Sequence, residues 1–191
     1  MILRKDKMKT DMDVWINSFG GCASNFLSHK LESVGLKTRT KQWQDGYCHY
    51  PYPKDLGIPM IYLYRDMRHA LLSQEKRKFA EINYSKLTTT HYVTGLDFEP
   101  IKLLGAMFNQ FMNWTNSDVK NILILHKNEL FTEEGIKAVN NHLGTNFEVF
   151  TEQKTNGEKP DPDWLQFRPE FKKFKSEISF VNNYRKKVPL C

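Results

Sequence analysis

An α/β fold, a three-layer sandwich with a central, mostly parallel sheet, is what this sequence predicts. Three observations carry that reading. Short apolar runs at 14–18, 60–64 and 121–125 have the length of strands. Stretches with helical spacing of apolar residues alternate with them. The runs are largely apolar rather than alternating, the pattern of strands covered on both faces.

Taken in chain order, residues 1–12 read as a loose basic leader with Arg4, Lys5, Lys7 and Lys9, and 13–191 as a single domain. A strand over 14–18 is broken by Gly20 and Gly21. Ser24 or Asn25 then caps a helix that runs to about Ser33, with Gly35 as its C′ residue. Residues 37–43 alternate weakly, as a strand does, and the aromatic, proline-rich stretch 47–53 reads as extended structure or loop. The strand at 60–64 leads into a helix over 67–82, and the Thr-rich stretch 86–95 into a loop. A helix over 99–114 aligns Ile101, Leu104, Met107, Phe108, Phe111 and Met112. After the third strand, Thr132 with Glu133 and Glu134 opens a helix that Gly144 closes. Residues 151–163 read as a polar linker and 171–188 as a last basic helix.

Composition narrows the function. The chain of 191 residues is 40% hydrophobic and 26% charged, ordinary globular usage with room for a core. Its net charge of +6 favours anionic partners. No zinc-finger, RRM-like or helix-turn-helix signature accompanies the basic ends, which argues against nucleic acid. Cys22, Cys48 and Cys191 are too few and too scattered for a disulfide framework or a zinc site, so no metal is expected. With no apolar span or signal core, a soluble, reducing, cytoplasmic setting is the expectation.

The chemistry concentrates in two strand-to-helix junctions. In the first, Gly20, Gly21, Cys22, Ala23, Ser24 and Asn25 follow a strand and open a helix. Such a loop aims backbone N–H groups at one point, where the helix dipole also favours an anion. In the second, Arg65 ends a strand and Ser73 follows two helical turns later. A guanidinium at the carboxyl edge of a parallel sheet can grip a phosphate, and a nearby hydroxyl can assist. For Arg65 the plainer alternative is an ion pair with Asp66.

Together these residues resemble the nucleotide site of sulfotransferases, and the resemblance spans about residues 13–145. Ser18-Phe-Gly-Gly-Cys-Ala-Ser-Asn-Phe-Leu27 is similar to the family's S-Y-P-x-S-G-x-T-W-L loop for the 5′-phosphosulfate. Arg65 and Ser73 have the spacing of its R-x7-S element for the 3′-phosphate. Leu123 to Leu130 is similar to its L-R-Y-E-D-L phrase, and Leu143-Gly144 to a following F-L-G. The resemblance implies a P-loop NTPase-like sulfotransferase architecture. It implies 3′-phosphoadenosine 5′-phosphosulfate as donor, 3′-phosphoadenosine 5′-phosphate as product, and a hydroxyl or amine acceptor, a glycan among those that suit. His49, in Cys-His-Tyr-Pro51, takes the place of the family's K-T-H-x-P base, with His69 and His126 in reserve. The chain departs from the family in three ways. Gly21 stands where the loop usually carries lysine, with Lys54 or Arg68 as substitutes. The interval from the loop to His49 is short. The R-K-G-x-x-G-x-W phrase is missing, with Lys154 to Gly157 and Trp164 at best its remnant.

Other readings stay open. The same loop suits a non-catalytic or kinase-like nucleotide binder. Cys22, at a helix start, also suits a thiolate nucleophile paired with His49, although Ser28 stands where a phosphatase C-x5-R loop needs arginine.

Overall fold

The computed structural model describes residues 11–38, 47–89, 99–151 and 168–184. The apolar runs form β1 (Trp15–Ser18), β2 (Met60–Tyr64) and β3 (Ile122–His126). They make one parallel sheet in the order β1-β2-β3. Its register aligns Ser18 with Leu63 and Leu63 with Leu125, so the strands finish level at one edge. Short apolar strands that each feed a helix fold this way because both faces must be covered.

One face packs on α4 (Pro100–Thr115). Tyr62 stacks on Trp114 at 5.1 Å, Trp15 meets the same indole edge-on at 5.1 Å, and Tyr64 meets Phe111 at 5.2 Å. By the two-residue pleat, Ile61 and Leu63 project to the other face. Helix α1 (Ser24–Glu32) packs along β1, and α5 (Glu133–Leu143) along β3. Leu27, Leu31, Leu63, Leu71, Phe111 and Trp114 are buried at 1% exposure or less. Each such side chain stabilises the fold by about 1.5–3 kcal/mol relative to exposure. The α/β class and the parallel sheet agree with the sequence reading, as do Thr132 capping α5 through Gly135 N–H and Gly144 closing it. Gly35 is confirmed as the C′ residue of α1, with Leu36 N–H bonded to the Leu31 carbonyl.

Several boundaries differ. The expected helix over 67–82 is two: α2 (Met67–Lys76) and α3 (Ala80–Thr88). Lys78 is left-handed (φ 59°), and Phe79 N–H turns back to the Gln74 carbonyl. Buried Asn83 then donates to Gln74 Oε1 at 2.7 Å, a polar contact that a continuous helix would separate. Helix α3 takes in the start of the expected 86–95 loop and Thr89 caps it, while 90–95 lie outside the described residues. The core starts at buried Met12, inside the expected leader, of which 1–10 lie outside the described residues. Lys37 and Thr38 are not in a strand, and 39–43 are outside the described residues. The stretch at 47–53, expected as extended structure or loop, opens with a 3-10 turn at Tyr47–His49 and continues as loop.

The expected last helix breaks at Phe174 into α6 (Pro169–Lys173) and α7 (Lys175–Asn183). This segment is docked. Arg168 grips Glu75 of α2 with two bonds, at 2.6 and 2.9 Å, and the Tyr64 hydroxyl donates to the Tyr184 carbonyl. The linker at 152–163 and the end at 185–188 lie outside the described residues. No described helix is long and apolar enough to cross a membrane.

Candidate phosphate site at the carboxyl edge of the sheet

Beyond Ser18 the chain turns through Gly20 (φ 93°), Gly21 (φ 69°) and Ala23 (φ 64°) before α1 begins. A Cβ on Gly20 would lie 2.8 Å from Asn83 Nδ2, and one on Gly21 3.1 Å from the Ala70 carbonyl oxygen and 3.4 Å from Ser73 Cβ. Gly20 therefore excludes a side chain by conformation and by space, whereas at Gly21 a side chain would be strained and would press on the α2 backbone. A lysine in place of Gly21 would meet that crowding. Ser24 and Asn25 do not cap the helix as expected: Ala23 occupies the cap and offers no side-chain bond. The first turn of α1 also carries no acidic residue, so its positive end is left for another acceptor.

Side chains clamp this loop from below. Gln74 donates to the Phe19 carbonyl at 3.1 Å, and Arg65 Nη1 to the Gly21 carbonyl at 3.1 Å. Within the loop, Gly20 N–H bonds to Ser18 Oγ, and Ser18 Oγ reaches Ser24 Oγ at 3.4 Å. Asn25 is exposed. Cys22 is fully buried and its thiol donates to the Gly20 carbonyl at 3.1 Å. Burial pushes that thiol up to about 12, against the opposing fields of Arg65, Lys127 and Arg77. Cys22 as an ionised nucleophile is thereby corrected: only its backbone is offered to a ligand.

The second junction lies beside the first. Asp66 caps α2 and pairs with Arg68, not Arg65, through bonds at 2.8, 3.0 and 3.1 Å. Burial opposes ionisation of Asp66, but the Arg68 hydrogen bonds outweigh it and hold the carboxyl below its ordinary value. Arg65 thus keeps its guanidinium on the loop, with Ser73 next to Gly21. Arg68 is committed to Asp66, and Lys54 lies over the Tyr50 ring at 4.3 Å, so neither substitutes for the loop lysine.

The third strand adds Lys127 to this edge, a residue the sequence reading missed. It follows β3 directly, as Arg65 follows β2, and that shared position was the available signal. Burial, then Arg65 and Lys127 among nearby cations, holds both His69 and His126 below the ordinary imidazole range. His126 also caps the next turn, accepting from Asn128 N–H at 3.2 Å, and His69 faces Asp66 at 3.8 Å. His126 thus has a structural task.

His49 comes to the same edge. Its Nδ1 is 2.7 Å from the Ser18 carbonyl. A carbonyl only accepts, so Nδ1 carries the proton, and neutral His49 presents an unprotonated Nε2. The turn is anchored next door, where the Tyr50 carbonyl accepts from Asn17 Nδ2, Gln110 Nε2 and Trp114 Nε1 at 2.9, 2.8 and 3.0 Å. Buried Gln110 also receives the Tyr62 hydroxyl at 3.2 Å. The sequence reading gave Gln74, Asn83 and Gln110 no role; they join elements far apart in the chain.

The structure therefore brings Gly20 to Ser24, Arg65, Ser73 and His49 to one edge. Among the described residues, no group of His, Cys, Asp and Glu could hold a metal ion. Compared with family models, curated proteins and solved structures, the chain finds no match.

Proposed function

We propose that this chain is a sulfotransferase with P-loop-like architecture that binds 3′-phosphoadenosine 5′-phosphosulfate across the carboxyl edge of its sheet. The observation that carries the reading is the Arg65 bond to the Gly21 carbonyl, because it unites two phosphate-type elements 44 residues apart. The uncapped start of α1 and the loop N–H groups face the 5′-phosphosulfate, and Arg65 with Ser73 holds the 3′-phosphate. Arg65 and Lys127 supply the positive field that the absent loop lysine would have supplied. His49 Nε2 takes the acceptor proton as the acceptor oxygen attacks sulfur in line and the phosphate oxygen leaves. A general base in that role contributes about 10²–10⁴ in rate. Beyond Arg68, a hollow of about 520 Å³ lined by Lys172, Lys175 and Asn182 suits an anionic acceptor such as a glycan.

A nucleotide binder without transferase activity is the second reading, favoured by the space-filled Gly21 position. Thermal-shift titration with 3′-phosphoadenosine 5′-phosphate, ADP, AMP and ATP tests both. At ~100 times its dissociation constant a ligand stabilises the native state by about 2.7 kcal/mol. A shift specific to the 3′-phosphorylated nucleotide and lost in Arg65→Ala is the expected outcome. Equal shifts with all four favour the second reading, and no shift with any overturns both.

A further inference from the structure

The inner side of the turn that carries His49 rests on a carboxamide. Gln110, on α4, is fully buried. Carbonyl oxygens only accept, so its Nε2 is the group that meets the Tyr50 carbonyl at 2.8 Å and approaches the Ser18 carbonyl and Asn17 Oδ1 at 3.4 Å. Its Oε1 then accepts from the buried Tyr62 hydroxyl at 3.2 Å, which fixes the orientation of the amide. The Tyr50 carbonyl belongs to the residue after His49, and the Ser18 carbonyl is the one that His49 Nδ1 meets at 2.7 Å. Buried Asn17 completes the link: its Nδ2 donates to the Tyr50 carbonyl at 2.9 Å and its Oδ1 accepts from Ser18 N–H at 2.7 Å. One amide on α4 thus spans the end of β1 and the turn.

We propose that Gln110 is a positioning residue for His49: it holds the turn against the end of β1, so that the imidazole keeps its proton on Nδ1 and presents a bare Nε2 to the site. The use of that Nε2 as a base rests on the sulfotransferase reading; the tautomer does not. A neutral imidazole has two tautomers, and the hydrogen bond made by one nitrogen decides which is present. The Ser18 carbonyl selects the Nδ1–H form only while Nδ1 stays within bonding distance. The two partners sit 31 residues apart on separate elements, so a third element must hold them in register. Helix α4 does so rigidly, because Phe111 and Trp114 beside Gln110 are buried against Tyr64 and Tyr62. An apolar side chain would fill the same space without the cost of desolvating an amide. What the amide adds is its bonds to the carbonyls on either side of the imidazole.

The test reads the tautomer directly, by proton–nitrogen correlation NMR on the whole chain with isotope-labelled histidine. At about pH 8.5 an ordinary imidazole is neutral, and the two tautomers give separate signals. His49→Asn assigns the signal among the six histidines. Wild-type His49 should be in the Nδ1–H form. Gln110→Leu combined with Tyr62→Phe removes the amide and its hydroxyl partner together, so no buried hydroxyl is left unpaired. The ratio of Nδ1–H to Nε2–H should then fall by about threefold to tenfold, the worth of one hydrogen bond. Should that pair of changes prevent folding, Gln110→Met, which keeps Tyr62, should give the same fall. Val139→Ala opens a cavity in α5 beside β3, at the far side of the sheet from β1. It should lower the melting temperature and leave the ratio unchanged. Wild-type His49 in the Nε2–H form overturns the proposal without recourse to any variant. So does an unchanged ratio in a folded Gln110 variant, or an equal fall in Val139→Ala, which would make the effect one of stability alone. A changed tautomer beside an intact thermal shift with 3′-phosphoadenosine 5′-phosphate is the expected pair of results, because Arg65 and Ser73 are untouched. Absence of that thermal shift in the wild-type protein would strike the nucleotide reading and not the tautomer.

Discussion

The loop after β1 and the turn at Tyr47–His49 are neighbours, joined by the bond from His49 to the Ser18 carbonyl, and each carries a cysteine. In the loop, Cys22 is sealed in the core and its thiol stays protonated up to about 12. In the turn, Cys48 meets an imidazole and an ammonium and falls to about 7. Cations reach both: Arg65, Lys127 and Arg77 act on Cys22, yet burial wins there. Distance and desolvation decide the outcome. A cation across the loop does not offset full burial, whereas Lys86 lies 3.9 Å from the Cys48 sulfur, which is less deeply buried. One region is closely packed around its glycines; the other holds its thiol beside a cation.

The largest expected effect breaks the shape of the loop. Gly20→Ala meets Asn83 and Gln74 at a φ of 93°. Strain and overpacking together should cost about 2–5 kcal/mol. At ~2–4 °C per kcal/mol, the melting temperature should fall by at least about 4 °C. A fall under 1 °C would mean that the loop is loose and that the comparison fails.

A smaller effect tests whether the two regions are coupled. Gln110 Nε2 bonds to the Tyr50 carbonyl at 2.8 Å and approaches both Asn17 Oδ1 and the Ser18 carbonyl at 3.4 Å. Gln110→Ala leaves buried partners short of a bond and should cost about 1–3 kcal/mol in urea denaturation. Because Gln110 joins the Tyr50 carbonyl to Asn17 and Ser18, a loss under about 0.5 kcal/mol would show that the two regions do not depend on this link.

The gentlest probe is pH. Cys22 has a folded pKa above its unfolded ~8.5, so its contribution is full below ~8.5 and declines as pH rises toward 12. By pH 10 that loss reaches about 2 kcal/mol, and Cys22→Ala should remove it from the stability curve. Cys48 has the opposite sign: its folded value of about 7 lies below the unfolded one. Its stabilisation, at most about 2 kcal/mol, is present above ~8.5 and is lost as pH falls through 7. Cys48→Ser should flatten the curve between those limits. Like-signed slopes from the two cysteines would refute the contrast.

Much of the frame was legible beforehand because it depends on local pattern. The three strands, the Thr132-capped helix start with Glu133 and Glu134, and glycines at Gly20, Gly21 and Gly144 are readable from apolar runs and turn chemistry. The break at Lys78 was not, because 67–82 keeps a helical pattern throughout and the reversal rests on the Gln74–Asn83 contact. Within the candidate site, Arg65 and the glycine loop were visible by position after strands. Lys86 was invisible as a partner of Cys48, since 38 residues separate them and α3 itself was expected to end earlier.

By itself the sequence determined the α/β class, the three strands to within a residue at each end, the glycine turn after β1 and the excess of positive charge. These follow from nearest-neighbour sterics and from the burial of apolar runs, which act over a few residues. The tertiary structure alone decided which charges meet. It paired Asp66 with Arg68 and so left Arg65 to the Gly21 carbonyl. It buried Cys22 and set Cys48 beside Lys86. Electrostatic energies depend on separation and solvent exposure, and chain order specifies neither until the sheet and helices have packed.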